Sequence, residues 1–146
     1  MDGVAYGDVI EHVADPAAEL RKSYQLLRPG GWLALHTMNI DSVTARLLGR
    51  RWPWLMDMHL YYFSQKTLAA MLQDSGYELV WSGTQGRYLR LGYLATRLGA
   101  LSERLGRIAA SIINRLSLDE IPIPVNSGDL FTIYARRPGN NPDHAI

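Results

Sequence analysis

The side chains with the clearest chemical use lie near the start of the chain, in the run Asp8-x-x-Glu11-His12. A histidine titrates near neutral pH, so His12 can accept a proton from a hydroxyl or an amine. Asp8 and Glu11 are within helical reach of His12, and oxygen and nitrogen donors of this kind also suit a divalent metal. The alternative is a structural role, in which Glu11 and His12 orient the helix that follows.

A second group of candidate residues comes later in the chain. His59, Tyr61 and Tyr62 lie close together in sequence, shortly after Trp52 and Trp54. Aromatic side chains suit the wall of a pocket for a flat or apolar molecule. The alternative is an aromatic cluster that packs the following helix onto a sheet. We favour packing for the two tryptophans, and the two interpretations are equal for His59 and Tyr61.

The segments between these residues alternate between helix and strand patterns. Asp15-Pro16 and Ser64 are typical helix starts, because Asp and Ser accept hydrogen bonds from free amides and Pro suits the first turn. Gly76 is typical of a helix end. The predicted strands are Gly3 to Gly7, Trp32 to Met38, Tyr77 to Ser82 and Asp129 to Arg136. This alternation predicts an α/β sheet with crossover helices.

An internal repeat lies between the last two predicted strands. Arg-Leu-Gly occurs at residues 90–92, 97–99 and 104–106, and leucines and isoleucines recur on one face at helical spacing. The pattern predicts one long, locally basic helix over residues 88–117. Each glycine costs such a helix about 1 kcal/mol relative to alanine, so we expect a partner surface whose backbone the glycines allow to come close. Association with a membrane surface is a weaker alternative to dimerisation.

Composition limits the classes of protein. The chain has 146 residues, a net charge of +1 and no cysteine, which excludes disulfides, thiolate metal sites and a catalytic thiol. The near-neutral charge argues against a nucleic-acid partner. Neither a signal peptide nor an uninterrupted apolar run of roughly 18 residues is visible, so we expect a cytoplasmic location. Residues 138–146 carry Gly, Pro and Asn and are predicted to form a flexible tail.

The order and spacing of these motifs resemble a known family. The run from Asp8 to Pro16, the turn Leu-Leu-Arg-Pro-Gly-Gly over residues 26–31, and the run from His59 to Ser64 are similar to class I S-adenosylmethionine-dependent methyltransferases. The resemblance covers most of residues 2–137. It implies an α/β fold. The expected sheet is a partial Rossmann-like methyltransferase sheet made of the family's fourth to seventh strands, with crossover helices and an inserted long helix. Residues 1–137 are then the C-terminal portion of a methyltransferase domain, with a helical insertion over residues 87–125 that acts as a lid or a dimer element.

The resemblance also implies roles for the candidate residues. In the family the sheet binds its cofactor across the carboxyl ends of its strands, so Tyr6, Gly7 and Asp8 are expected to bind S-adenosylmethionine. His12 and Asp8 are the expected catalytic residues. Asp8-x-x-Glu-His is also similar to a metal-binding motif of some small-molecule and RNA 2′-O-methyltransferases. The further histidine of the RNA enzymes is missing at a matching distance, so no metal is expected. The acceptor side of the cleft is expected to include His59, Tyr61 and Tyr62.

The sequence also departs from the family. The family binds its cofactor with a glycine-rich loop after the first strand, and this sequence contains no G-x-G-x-G or G-x-G-x-x-G. We therefore expect the acceptor half of a methyltransferase for a small molecule, present as a truncated fragment that is inactive alone. The alternative is a non-catalytic interaction module that forms a homo-oligomer through an exposed sheet edge or through the helix over residues 88–117.

Overall fold

The structure is a computed structural model that describes residues 1–84 and 86–139. These residues form two compact units, one of residues 1–84 and 127–139 and the other of residues 86–126. The predicted flexible tail lies outside the described residues from position 140 onward. None of the described helices is long and apolar enough to cross a membrane.

The first four elements alternate between strand and helix, as the sequence predicts, and after them elements of the same type follow one another. In order they are β1 (Gly3–Gly7), α1 (Pro16–Leu26), β2 (Trp32–Met38), α2 (Val43–Leu48), a 3₁₀ turn (Gly49–Arg51), α3 (Gln65–Asp74), β3 (Glu78–Thr84), β4 (Arg87–Arg90), α4 (Leu91–Leu101), α5 (Glu103–Arg115), β5 (Pro122–Val125) and β6 (Leu130–Arg136).

The first unit contains a four-stranded mixed sheet in the order β1-β2-β6-β3. β1 and β2 are parallel, with Gly7 opposite His36, and α1 is the crossover between them. β6 runs antiparallel to both β2 and β3. Because β1 and β2 are parallel neighbours, the loops that follow them leave the sheet at the same edge.

Side-chain caps fix the helix starts at the predicted residues. The Asp15 carboxylate accepts a hydrogen bond from the Ala18 amide at 2.9 Å. Ser64 forms a capping box with Thr67, so each side chain satisfies an amide of the other residue. After α3, Gly76 has φ +91°, a left-handed conformation that glycine adopts without steric cost.

The core of the first unit lies on one face of the sheet. Alternate residues of β2 and β6 point to this face and pack with residues of α1 and α3, and the fully buried members include Leu20, Leu33, Leu35, Leu68, Leu72, Phe131 and Ile133. The other face carries large aromatic side chains that are 40–47 % exposed, namely Trp32, Trp81 and Tyr134. The sheet of this unit therefore buries one face and leaves apolar surface on the other.

The second unit corrects the prediction of one long helix over residues 88–117. Its start is the strand β4, which pairs antiparallel with β5, and its helical part is divided into α4 and α5. The division is at Ser102, whose φ of −153° and ψ of 110° are those of extended backbone. Leucine spacing continues across this residue, which is why the sequence pattern does not reveal the break.

The glycines of the repeat explain why two helices are favoured over one. A Cβ added at Gly106 would lie 2.3 Å from the Cα of Gly99, so the backbones of α4 and α5 touch at these glycines. The close approach predicted for a partner is therefore made within the chain. Part of the predicted apolar seam is turned outward. Leu98, Leu105, Ile108 and Ile112 are 45–59 % exposed, whereas Leu91 and Leu94 are half-buried.

Candidate functional site

The candidate site forms where the loops after β1 and β2 meet. The backbone amides of Leu60 and Tyr61 donate hydrogen bonds to the Glu11 carbonyl at 2.9 and 3.1 Å. The Tyr61 hydroxyl donates to the Ala14 carbonyl at 2.9 Å. These contacts hold the residue 8–15 loop against the residue 39–64 loop at the carboxyl ends of two parallel strands, the edge at which open α/β sheets bind ligands.

Glu11 is the most unusual residue at this edge, because its carboxylate is fully buried. One oxygen, Oε2, accepts a hydrogen bond from the Thr37 hydroxyl at 3.0 Å. The other oxygen, Oε1, is buried and has no hydrogen-bond partner. A buried polar atom without a partner is costly, so Oε1 is a candidate for contact with a ligand.

The rings of His12 and His59 are each held by a hydrogen bond to a backbone carbonyl. The Nδ1 atom of His12 lies 2.8 Å from the Met58 carbonyl oxygen, and that of His59 lies 2.8 Å from the Trp54 carbonyl oxygen. A carbonyl oxygen can only accept, so both Nδ1 atoms carry a proton. In each neutral ring the Nε2 atom then keeps its lone pair. The two ring centroids are 4.8 Å apart.

The structure thus brings together one carboxylate and two imidazoles. One ligand atom from each of Glu11, His12 and His59 lies within 4.8 Å of the others. Such a group can hold a metal ion or move a proton. Asp8, the other residue predicted to be catalytic, is not a member of this group. It is exposed, and its amide donates to the His36 carbonyl at 3.0 Å.

The other predicted acceptor residues are engaged with neighbouring loop atoms. The Tyr62 hydroxyl donates to the Met56 carbonyl at 3.1 Å and accepts from the Met56 amide at 3.2 Å. The Tyr62 ring contacts the His59 ring edge to face at 5.8 Å. Tyr62 therefore supports His59 from the side.

The tryptophans pack in the core, but beside α2 rather than between the sheet and α3, the helix that they were expected to hold. Trp52 is 2 % exposed and packs with Met38 and Ala45, and Trp54 packs against this cluster. The two tryptophans therefore belong to the core beneath the residue 39–64 loop.

Sequence reasoning missed Asp129, which anchors that loop. Its carboxylate accepts hydrogen bonds from the hydroxyls of Ser42 at 2.7 Å and Ser127 at 2.8 Å, from the Thr44 hydroxyl, and from the Trp52 indole at 3.2 Å. Burial by itself raises the pKa of Asp129, but these four hydrogen bonds outweigh burial and the pKa is lowered. Three of the donors lie 77 or more positions away, so no local motif signals the contact.

The chain shares its fold with proteins of known type. A family model described as "Methyltransferase domain" matches residues 2–82, more than half of the chain. The chain belongs to this family, the class I S-adenosylmethionine-dependent methyltransferases. The resemblance stated from the sequence motifs is confirmed, and S-adenosylmethionine is the cofactor of the family.

Individual relatives match over part of their length. A ubiquinone biosynthesis O-methyltransferase of Xanthomonas axonopodis pv. citri (strain 306) is 33% identical over 86 residues, which cover 54% of this chain and 36% of that protein. The chain therefore spans about a third of the length of this curated relative.

Solved methyltransferase structures share the fold over nearly the whole chain. An S-adenosylmethionine-dependent methyltransferase of Thermotoga maritima has a TM-score of 0.59 at 17% identity and is matched over 93% of this chain and 56% of its own. One of Archaeoglobus fulgidus has a TM-score of 0.56 at 17% identity, over 93% of this chain and 59% of its own. At these identities the likeness shows the α/β methyltransferase fold alone.

The residues expected to bind the cofactor fit it in part. A Cβ added at Gly7 would meet no atom within 4 Å, so the end of β1 is open. The Tyr6 hydroxyl instead donates to Glu19 at 2.9 Å, and burial together with this hydrogen bond raises the pKa of Tyr6 to about 12. The open strand end can therefore accommodate one edge of the cofactor, while the Tyr6 hydroxyl is committed to α1. The roles of Tyr6, Gly7 and Asp8 stay predictions.

Proposed function

We propose that this chain provides the acceptor side of a methyltransferase that methylates an oxygen or nitrogen atom of a small molecule. The observation that carries the proposal is the meeting of two loops at the carboxyl ends of the parallel strands β1 and β2. There His12 and His59 lie beside a buried carboxylate, Glu11. We take β1, β2, β3 and β6 as the fourth, fifth, sixth and seventh strands of the family's sheet.

The chemistry assigns a distinct role to each part of this edge. S-adenosylmethionine supplies a methyl group activated by its sulfonium. The open end of β1 at Gly7 and Asp8 would hold the methionine part. His12 can take the proton that the acceptor loses, because its Nδ1 is committed to the Met58 carbonyl and its Nε2 keeps a lone pair. Alignment of the acceptor provides much of the acceleration for such a transfer.

We infer that the chain needs further residues to bind the cofactor. Its sequence contains no glycine-rich G-x-G-x-G loop, and it spans 36% of the curated relative. The chain by itself is therefore expected to be inactive. The small-molecule acceptor is supported by the Tyr62 ring, which lies edge to face against the His59 ring at 5.8 Å, because aromatic side chains suit a flat or apolar ligand.

The test is cofactor binding by two proteins. One is the chain as given, and the other is the same chain joined behind the part of the Xanthomonas relative that precedes its matched region. Calorimetry should show no saturable S-adenosylmethionine binding by the first and binding by the second. The second should also transfer a radiolabelled methyl group to members of a panel of hydroxylated aromatic acceptors. A folded chimera that does not bind the cofactor would refute the proposal.

A specific observation supports the alternative of an interaction module. Among the described strands β1 is the edge of the four-stranded sheet, and the adjoining face exposes Trp32, Trp81 and Tyr134. An unpaired edge beside an apolar face suits pairing with a second copy. Light scattering over a hundredfold range of concentration should then show a dimer, and a monomer throughout would exclude this function.

A further inference from the structure

The carboxylate and imidazoles at the candidate site also form a set that binds metal ions. We propose that Glu11, His12 and His59 hold one divalent transition-metal ion of the kind that imidazole favours, such as Zn²⁺. The role of the ion in methyl transfer rests on the proposed function, but the binding of the ion does not. An experiment can therefore refute metal binding without refuting the proposed function, and the reverse.

The first argument is the buried oxygen of Glu11. Oε2 of Glu11 is satisfied by the Thr37 hydroxyl, whereas Oε1 has no hydrogen-bond partner and the residue is fully buried. An ionised carboxylate in such a place needs a compensating charge. A bound cation supplies this charge and uses the free oxygen, so it accounts for both observations at once.

The second argument is the orientation of the imidazoles. Histidines that bind metals almost always donate their other ring N–H to a carboxylate or a backbone carbonyl, which fixes the ring and raises the basicity of the ligand nitrogen. His12 and His59 both do this, through Nδ1 to the carbonyls of Met58 and Trp54 at 2.8 Å. Both rings are therefore arranged as ligands before any ion arrives.

The third argument is distance. A transition-metal ion binds His nitrogen and carboxylate oxygen at about 2.0–2.2 Å, so three ligand atoms around one ion in tetrahedral or trigonal geometry lie about 3.3–3.8 Å apart. The ligand atoms of Glu11, His12 and His59 lie within 4.8 Å of one another. The ligand atoms must therefore approach by about 1 Å to hold one ion. Side-chain rotation of the half-buried His12 can provide a movement of this size.

The donor set also selects the kind of ion. Two neutral imidazoles and one carboxylate suit Zn²⁺ and neighbouring transition metals, whereas Mg²⁺ and Ca²⁺ prefer oxygen ligands alone. Three protein ligands leave at least one position for water or for an acceptor oxygen. With the ion bound, His12 is a ligand, and the ion lowers the pKa of the acceptor hydroxyl that it binds.

The test measures metal binding by the full chain without cofactor. Metal-free protein is titrated with Zn²⁺ by calorimetry, and with Co²⁺ by visible absorption, whose intensity reports tetrahedral or five-coordinate geometry. We expect one equivalent to bind. His12→Ala and His59→Ala should each weaken binding about 100-fold or more, and Glu11→Gln should do so while keeping an acceptor for the Thr37 hydroxyl.

The matched control is His36→Ala. His36 is also half-buried and bonded through Nδ1, but to the Thr132 hydroxyl and outside the group, so this variant should bind Zn²⁺ within about twofold of the parent. Circular dichroism confirms that each variant is folded. His12 is half-buried, so His12→Ala is the variant most tolerant of truncation. Absence of saturable binding, or parent-like binding by folded His12→Ala, would overturn the metal site and leave the proposed methyl transfer standing.

Discussion

The carboxylate of Asp129 offers a sharp test of how the loop beneath the site is held. It accepts hydrogen bonds from Ser42, Thr44, Trp52 and Ser127. Asp129→Asn keeps the shape of this side chain and removes its charge. Hydrogen bonds to a charged group contribute about 1.5–3 kcal/mol each and neutral ones about 1 kcal/mol. Since Asp129 is partly exposed and the four bonds share one acceptor group, we expect a total loss of about 2 kcal/mol rather than the full sum.

The direction of the pH dependence follows from the pKa. The four hydrogen bonds lower the pKa of folded Asp129 below its ordinary value of 3.8. The unfolded chain therefore binds this proton first as the pH falls. The stabilisation by Asp129 is present above pH 3.8 and is lost as the pH falls through the lower pKa of the folded state.

The assay is urea unfolding, followed by tryptophan fluorescence at pH 7 and at stepwise lower pH. Asp129→Asn should unfold more easily than the parent at pH 7, and the difference should shrink below about pH 4. Asp41→Asn is the matched control. Asp41 lies just before α2, the helix that contains Thr44, and its carboxylate forms an ion pair with Arg46 at 3.5 Å. Asp41 is exposed, so the loss of its charge should cost under about 0.5 kcal/mol. Equal stability of Asp129→Asn and the parent at pH 7, or a difference that persists unchanged in acid, would refute this account.

Three further predictions concern the second unit, α3 and β1. Gly106→Ala should destabilise the second unit by about 2 kcal/mol or more, because the new Cβ would lie 2.3 Å from the Cα of Gly99. A urea titration in which the variant loses its helical circular dichroism at the same urea concentration as the parent would contradict this prediction. Ser64→Ala removes the cap of α3 and should cost about 1 kcal/mol in urea unfolding, whereas exposed Lys66→Ala should cost little. The Tyr6 phenol should ionise only near pH 12, so Tyr6→Phe should remove the corresponding step from the titration of tyrosine ultraviolet absorbance. A titration curve identical to that of the parent near pH 12 would count against the buried hydroxyl.

The elements whose signals are local are the ones that the sequence predicts well. Asp15 and Ser64 cap their helices through amides three positions ahead, so the information lies within one turn. The strand Trp32–Met38 is also placed as predicted, and it is paired on both sides, with β1 and β6. In each case the signal, a capping side chain or a continuous apolar run, lies within the element itself or directly before it.

The parts that the sequence does not predict depend on distant contacts. Ser102 divides the predicted long helix because α4 and α5 pack through Gly99 and Gly106, and the leucine spacing carries no information about this packing. In the same way, His12 and His59 were expected to act as a catalytic base and an acceptor contact. The structure places them side by side, because two loops 47 residues apart meet at one sheet edge.

Glu11 links the formation of this edge to its chemistry. Its backbone carbonyl accepts the amides of Leu60 and Tyr61, which carry the neighbouring His59 into place, while its side chain supplies the buried oxygen without a partner. The two functions reside in different atoms of one residue. Glu11→Gln alters only the side chain, so the Leu60 and Tyr61 amides should stay protected from hydrogen exchange while metal affinity falls. Loss of amide protection in this variant would mean that the charge of Glu11 is itself needed to join the loops.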